Sequence, residues 1–121
     1  MGDIKRGRIF RLAVPGSKYS APAVDVSNGE GIQTALRSPA KSVRWMAIDA
    51  LRQLQPEEAA KLLRPLADSV ANPAWVAARA RWLLADCQLR APQSDIGLVA
   101  SLNGLEDPRL ASQAERIRHW L

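Results

Sequence analysis

The chain has one cysteine, one histidine, one phenylalanine and one tyrosine, and each shortage removes a class of chemistry. A single thiol, Cys87, can neither close an internal disulfide nor supply a Cys-based zinc cluster. His119 has no second ligand at metal spacing, and no serine stands in a recognisable nucleophile–base arrangement with it. No apolar run approaches the ~18 residues that span a bilayer, and the first residues hold no apolar core of the signal type. Direct membrane insertion is therefore not expected. Glycine is sparse, and its one cluster, Asn28-Gly29-Glu30-Gly31, lacks the Lys-Ser pair and the strand-to-helix setting of a phosphate loop. The residues imply no cofactor and no metal held by this chain.

What the chain does have is a hydrophobic template that recurs about every 33 residues. At offsets 0, 4, 7, 8 and 11 it reads Val43, Ala47, Ala50, Leu51, Leu54, then Val76, Ala80, Leu83, Leu84, Cys87, then Leu110, Ala114, Ile117, Arg118, Leu121. Those offsets fall on one helical face, so each copy is an amphipathic helix with the same buried stripe. Cys87 lies on that stripe and reads as a small core hydrophobe. Asp49 and Asp86 lie off it, where they are better placed to pair with arginines than to act as acid–base groups.

Caps and breakers divide residues 28–121 into six helices. Ser27 or Asn28 caps a short helix to about residue 37, and Ser38-Pro39-Ala40-Lys41 turns the chain into a helix over about 42–54. Pro56 opens the next, with Glu57 and Glu58 at its positive end, Leu62, Leu63, Leu66 and Val70 toward the core, and a kink at Pro65. Asn72-Pro73 starts a long helix to about residue 89, a short fifth helix covers 95–102, and Asp107-Pro108 opens the sixth. The fold class is all-α: three helix hairpins, each with the template on its second helix. One hairpin cannot cover its own apolar face, so the hairpins are expected to stack as a right-handed α-α superhelix.

Residues 1–27 stand outside the repeat as an extended N-terminal arm. Within it, Arg8-Ile9-Phe10-Arg11-Leu12-Ala13-Val14 alternates enough to predict one short strand, ended by Pro15-Gly16. A lone strand leaves its backbone hydrogen bonds without partners in this chain. It is expected to fray, or to belong to a sheet supplied from elsewhere.

The run Leu36-Arg37-Ser38-Pro39-Ala40-Lys41-Ser42-Val43-Arg44-Trp45-Met46-Ala47-Ile48-Asp49-Ala50-Leu51 resembles the turn, Val-Arg pair and Ala-rich second helix of HEAT-like repeats, a kind also seen in bilin-lyase-type proteins. The Val-Arg pair appears once, since Ala77 follows Val76 and Ala111 follows Leu110. A narrower resemblance covers the join between arm and repeats. Asp3-Ile4-Lys5-Arg6-Gly7-Arg8-Ile9-Phe10-Arg11-Leu12, followed by Val24-Asp25-Val26 and Gly31-Ile32-Gln33-Thr34-Ala35-Leu36-Arg37-Ser38-Pro39, is similar to a segment of planctomycete-type large membrane-associated dehydrogenase-like proteins. In that family a β-propeller ends in a strand reading Gly-Arg-Ile-Tyr-Arg-Ile, here with Phe10 for the tyrosine, and runs into HEAT repeats and often a c-type haem domain. The resemblance implies that the chain is a piece of a larger, exported haem-containing protein whose catalysis lies outside these residues. The uncapped end at His119-Trp120-Leu121 and the polar Arg118 at an apolar template position agree with a segment cut from a longer array.

Charge supplies the remaining functional signal. Seventeen Lys plus Arg against 12 Asp plus Glu give a net charge of +5, and thirteen of the cations are arginines. Arg44, Trp45, Trp75, Arg79, Arg81 and Trp82 are the candidate interaction surface, with Arg109, Arg116, Arg118 and Trp120 beyond them. Cations beside stacking faces suit a nucleic-acid-binding repeat. Alternatively, the tryptophans fill gaps between hairpins while arginine stems lie over them. Their unequal template offsets favour gap filling. The leading expectation is a non-enzymatic scaffold whose partners are proteins or neighbouring domains. A basic nucleic-acid-binding module and a bilin-lyase-like accessory protein are the alternatives.

The register itself is testable. Ala47, Ala80 and Ala114 occupy the same place in each copy, where a small residue lets two helices approach closely. Ala80→Phe is expected to overpack the central contact and cost about 1–3 kcal/mol. A chemical denaturation midpoint unchanged by that substitution would show the register to be wrong.

Overall fold

A computed structural model describes residues 15–16 and 23–121 of the chain. The strand expected at 8–14 and most of the arm lie outside the described residues. Within them the chain is all-helical, with six helices in the expected order: α1 (Gly29–Leu36), α2 (Lys41–Gln53), α3 (Pro56–Asp68), α4 (Ala74–Arg90), α5 (Leu98–Ser101) and α6 (Pro108–Trp120).

Local chemistry sets most of their ends. The Asn28 side chain accepts from the Gly31 amide at 2.8 Å and so caps α1. Pro56 and Pro108 take first-turn positions that need no amide hydrogen, and Asp107 caps α6 through the Arg109 amide at 2.9 Å. Pro65 sits inside α3 and cannot donate to the carbonyl of Lys61. At the adjoining carbonyl, that of Leu62, the Gln33 side chain of α1 donates at 2.7 Å, tying α1 to this stretch of α3.

Two expectations are corrected here. The fifth helix is confined to Leu98–Ser101 rather than 95–102, because Gly97 adopts a left-handed conformation with φ 78°. The Asp95 side chain accepts the Gly97 amide at 2.9 Å and closes a turn where the helix was expected to begin. Val70 does not face the core. α3 stops at Asp68, Ser69 is extended, and Val70 on the following turn is fully exposed.

The buried stripe holds in the first two copies of the template. Val43, Ala47 and Leu51 of α2 and Val76, Ala80, Leu84 and Cys87 of α4 are all buried in one continuous core. The third copy departs from it. Ala114 and Ile117 are buried, whereas Leu121 is half exposed and Arg118 turns outward to donate to the Leu102 carbonyl at 2.5 Å and to Asn103 Oδ1 at 3.0 Å.

α3 and α4 form the most extensive contact, followed by α1 with α2. α1 also meets α3, while α4 meets both α5 and α6. Side-chain amides stitch these neighbours: besides Gln33 to Leu62, Gln113 of α6 donates to the Ala78 carbonyl of α4 at 2.6 Å. The short connection between α1 and α2 leaves α2 little choice but to fold back beside α1.

Residues 23–26 run along α1, with Val24 and Val26 partly buried against the core. The approach is close. A Cβ on Gly31 would lie 1.8 Å from the Asp25 carbonyl oxygen, so a glycine is required here for the backbones to meet. Gly31→Ala is expected to push residues 23–26 off α1 and lower stability by about 1–3 kcal/mol. Gly29→Ala, which meets only a Leu62 methyl group, should cost less. Thermal melts of the two variants compared with the original chain check the difference.

Candidate interaction surface

Trp75, Arg79, Trp82 and Asp86 follow one another at helical spacing along α4, forming the stripe opposite its buried face. Neighbours on α2 and α6 extend it. On the α6 side the Trp82 and Trp120 rings meet edge to face, with centroids 5.7 Å apart and planes at 66°. On the α2 side Asp86 pairs with Arg52 at 3.9 Å and with Arg90 of its own helix at 3.4 Å. Exposed pairs of this kind contribute about 0–1 kcal/mol. Their greater effect is to occupy two cations that would otherwise be open to a ligand. Asp49, expected to pair with an arginine, has no ion pair among the described residues.

The tryptophans are each packed on one side and open to solvent on the other. Trp45, Trp75, Trp82 and Trp120 are 47%, 48%, 39% and 52% exposed, so each keeps roughly half its surface in solvent. Met46 beside Trp45 and Leu89 further along α4 are exposed to a similar degree. Half-buried indoles present an apolar face at fixed orientation, since the other half of each ring is packed.

Arg44 and Arg79 converge on the turn between α1 and α2. Arg79 Nη1 donates to the Leu36 carbonyl at 2.5 Å, and Arg44 Nη1 donates to those of Ser38 at 3.0 Å and Pro39 at 2.5 Å. The guanidinium carbon of Arg79 lies 4.9 Å from the centroid of the Trp75 ring. Partial burial, and after it the nearby Arg44 charge, hold the Arg79 guanidinium below its usual basicity. Arg37, at the start of the same turn, reaches away to α3–α4, its Nη2 on Asn72 Oδ1 at 3.3 Å, while the Asn72 amide is itself held by the Pro65 and Leu66 carbonyls at 3.2 Å. Sequence reasoning missed Arg37. Its position at the C-terminal end of a helix, where cations are favoured, was the available signal.

Arg81 does not belong to this surface. Adjacent helix positions differ by about 100°, and two residues beyond Arg79 the chain has turned toward α5. There Arg81 is 4% exposed, its Nε donates to the Ser101 carbonyl at 2.8 Å, and its Nη1 has no protein partner. Ser101 in turn donates its hydroxyl to Asp68 at 2.6 Å. Arg81 and Asp68 border a hollow of about 750 Å³, and a second, of about 480 Å³, lies between residues 23–25 and α1. Among the described residues no three metal-ligating side chains come together. Burial raises the Cys87 thiol pKa above its ordinary value, which places Cys87 among inert core thiols.

The class defined by these observations is an all-α protein of serially packed helices with an aromatic and basic exposed stripe. Comparison with protein-family models, curated proteins and solved structures finds no match.

Arg81 yields a prediction that separates structural from surface arginines. Methionine keeps most of its volume and removes a buried charge with an unpaired nitrogen, so Arg81→Met should change stability by less than about 1.5 kcal/mol in either direction. Arg81→Ala opens a cavity beside α5 and should cost more, about 2–4 kcal/mol. Urea midpoints for the two variants measure the gap.

Proposed function

We propose that the chain is a non-catalytic scaffold: a HEAT-like superhelix of three hairpins that docks or spaces neighbouring protein domains through its second helices, α2, α4 and α6. The observation that carries this reading is the set of four half-exposed tryptophans, each on a second helix, one of them with Arg79 fixed over its ring. An isolated fold gains nothing from leaving four indoles half in water, whereas interfaces draw much of their binding energy from tryptophan and arginine. The serial contacts α1–α3 and α4–α6 are those a stack of hairpins would make.

The resemblance of the arm and first repeat to dehydrogenase-like proteins gives the scaffold a setting. In it, these residues would space a propeller dehydrogenase-like domain against a haem domain or another partner, in an exported protein whose chemistry lies in the other domains. A nucleic-acid-binding role has less support. Asp86 takes up Arg52 and Arg90, and the edge-to-face Trp82–Trp120 pair leaves no slot between the rings for a base.

The test has two parts. The coding region on both sides of these residues should hold a propeller upstream and a haem-attachment motif downstream. In the chain joined to its encoded neighbours, hydrogen exchange should slow on α2, α4 and α6 relative to the chain alone. A reading frame that begins and ends with these residues, or exchange unaltered by the neighbours, would remove the spacer role.

A further inference from the structure

The scaffold reading names a face but not what it recognises, and the turn between α1 and α2 carries that further. Two guanidinium groups, those of Arg44 and Arg79, meet there, held by the Leu36, Ser38 and Pro39 carbonyls, and Arg37, on the turn itself, reaches across to Asn72 just before α4. Among the described residues none of the three is in an ion pair. This sets them apart from Arg52, Arg90, Arg109 and Arg118, each of which has a carboxylate.

The charges of Arg44 and Arg79 repel, yet the Leu36, Ser38 and Pro39 carbonyls fix them in place, and Asn72 holds Arg37, so their side-chain entropy is already spent before any ligand arrives. Each guanidinium carries five N–H donors and uses only one nitrogen in these bonds, which leaves donors for an incoming anion. Trp75, half exposed and stacked with Arg79, supplies an apolar wall alongside.

Resting on the scaffold reading, we infer that Arg37, Arg44, Arg79 and Trp75 form a docking point for an acidic segment of a partner protein. Carboxylates would meet the guanidinium groups and an aliphatic side chain would lie on the Trp75 ring. Charge complementarity selects the acidic character, since arginine forks match carboxylates in pairs. The indole selects a peptide over a bare ion, because an ion would leave it idle. The carboxylates along α2 and α4, Asp49 and Asp86, disfavour the continuous phosphate track of a nucleic acid.

The full chain is titrated with a capped Glu-Glu-Leu-Glu-Glu peptide, with its Gln-Gln-Leu-Gln-Gln counterpart, with inorganic phosphate and with a short oligothymidylate, following the Trp75 indole N–H resonance. The acidic peptide should bind saturably and weaken steeply with salt, as the Debye length falls from about 10 Å at 0.1 M to about 3 Å at 1 M. Arg44→Gln with Arg79→Gln should weaken binding by about tenfold or more, a loss of about 1.4 kcal/mol. Arg44→Lys with Arg79→Lys, which keeps the charge, should weaken it less and controls for misfolding. Arg116→Gln, on α6, should leave it unchanged. Equal binding of the neutral peptide, an unmoved Trp75 resonance, or tighter binding of oligothymidylate or phosphate than of the acidic peptide would each overturn the inference. Exchange protection by neighbouring domains together with no response to the acidic peptide would overturn the docking point while leaving the scaffold reading in place.

Discussion

Where α3 meets α4, Ala59, Leu63, Leu66, Val76, Ala80 and Leu84 lose nearly all their contact with water, and the rest of the molecule is laid on that pair. α1 rests on α3, and α5 and α6 rest on α4. Removing a leucine or valine from water contributes about 1.5–3 kcal/mol, against about 0–1 kcal/mol for each exposed ion pair. The fold therefore stands on its apolar seam, and the surface charges are free to serve other ends. Small residues make the seam close: Ala59, Ala60 and Ala67 on α3 face a helix that brings Ala77, Ala80 and Ala85.

That seam also decides what the exposed stripe looks like. α4 is covered along most of its circumference, by α3, α5 and α6, which leaves it one narrow strip of solvent. Into that strip fall Trp75, Arg79, Trp82 and Asp86. The side chains with the most binding potential thus sit on the element whose backbone has the least freedom, an arrangement suited to presenting rigid anchors. Arg79 and Arg44 add a second restraint, because the carbonyls that hold them belong to the α1–α2 turn. One hydrogen-bonded corner joins the first hairpin to the second and sets the geometry of the cationic cluster.

Much of the candidate site was legible in the sequence, for a local reason. Trp75, Arg79 and Trp82 recur at helical spacing, so any helix through them places all three on one side. Arg37 and Arg81 were not legible in the same way. Whether a cation at a helix end meets solvent or a neighbouring turn depends on Asn72, 35 residues away in the chain. Arg81 looked equivalent to Arg79 by composition and differs only in facing Ser101 of α5, which no periodicity reveals. How far each indole would stay in solvent was likewise not legible, because it depends on how closely the second helices approach one another.

By itself the sequence determined the helices and their buried stripes. Proline and Asx caps act on neighbouring residues, and an apolar repeat matched to the helical turn marks the side that must leave water. It determined in the same way that Cys87 is a core residue. Tertiary structure alone decided the outward turn of Arg118 and the division of the arginines into one buried against α5 and a pair held at the α1–α2 turn. Those outcomes rest on carbonyls and side chains brought together from distant parts of the chain, and such proximity exists only once the α3–α4 seam has formed.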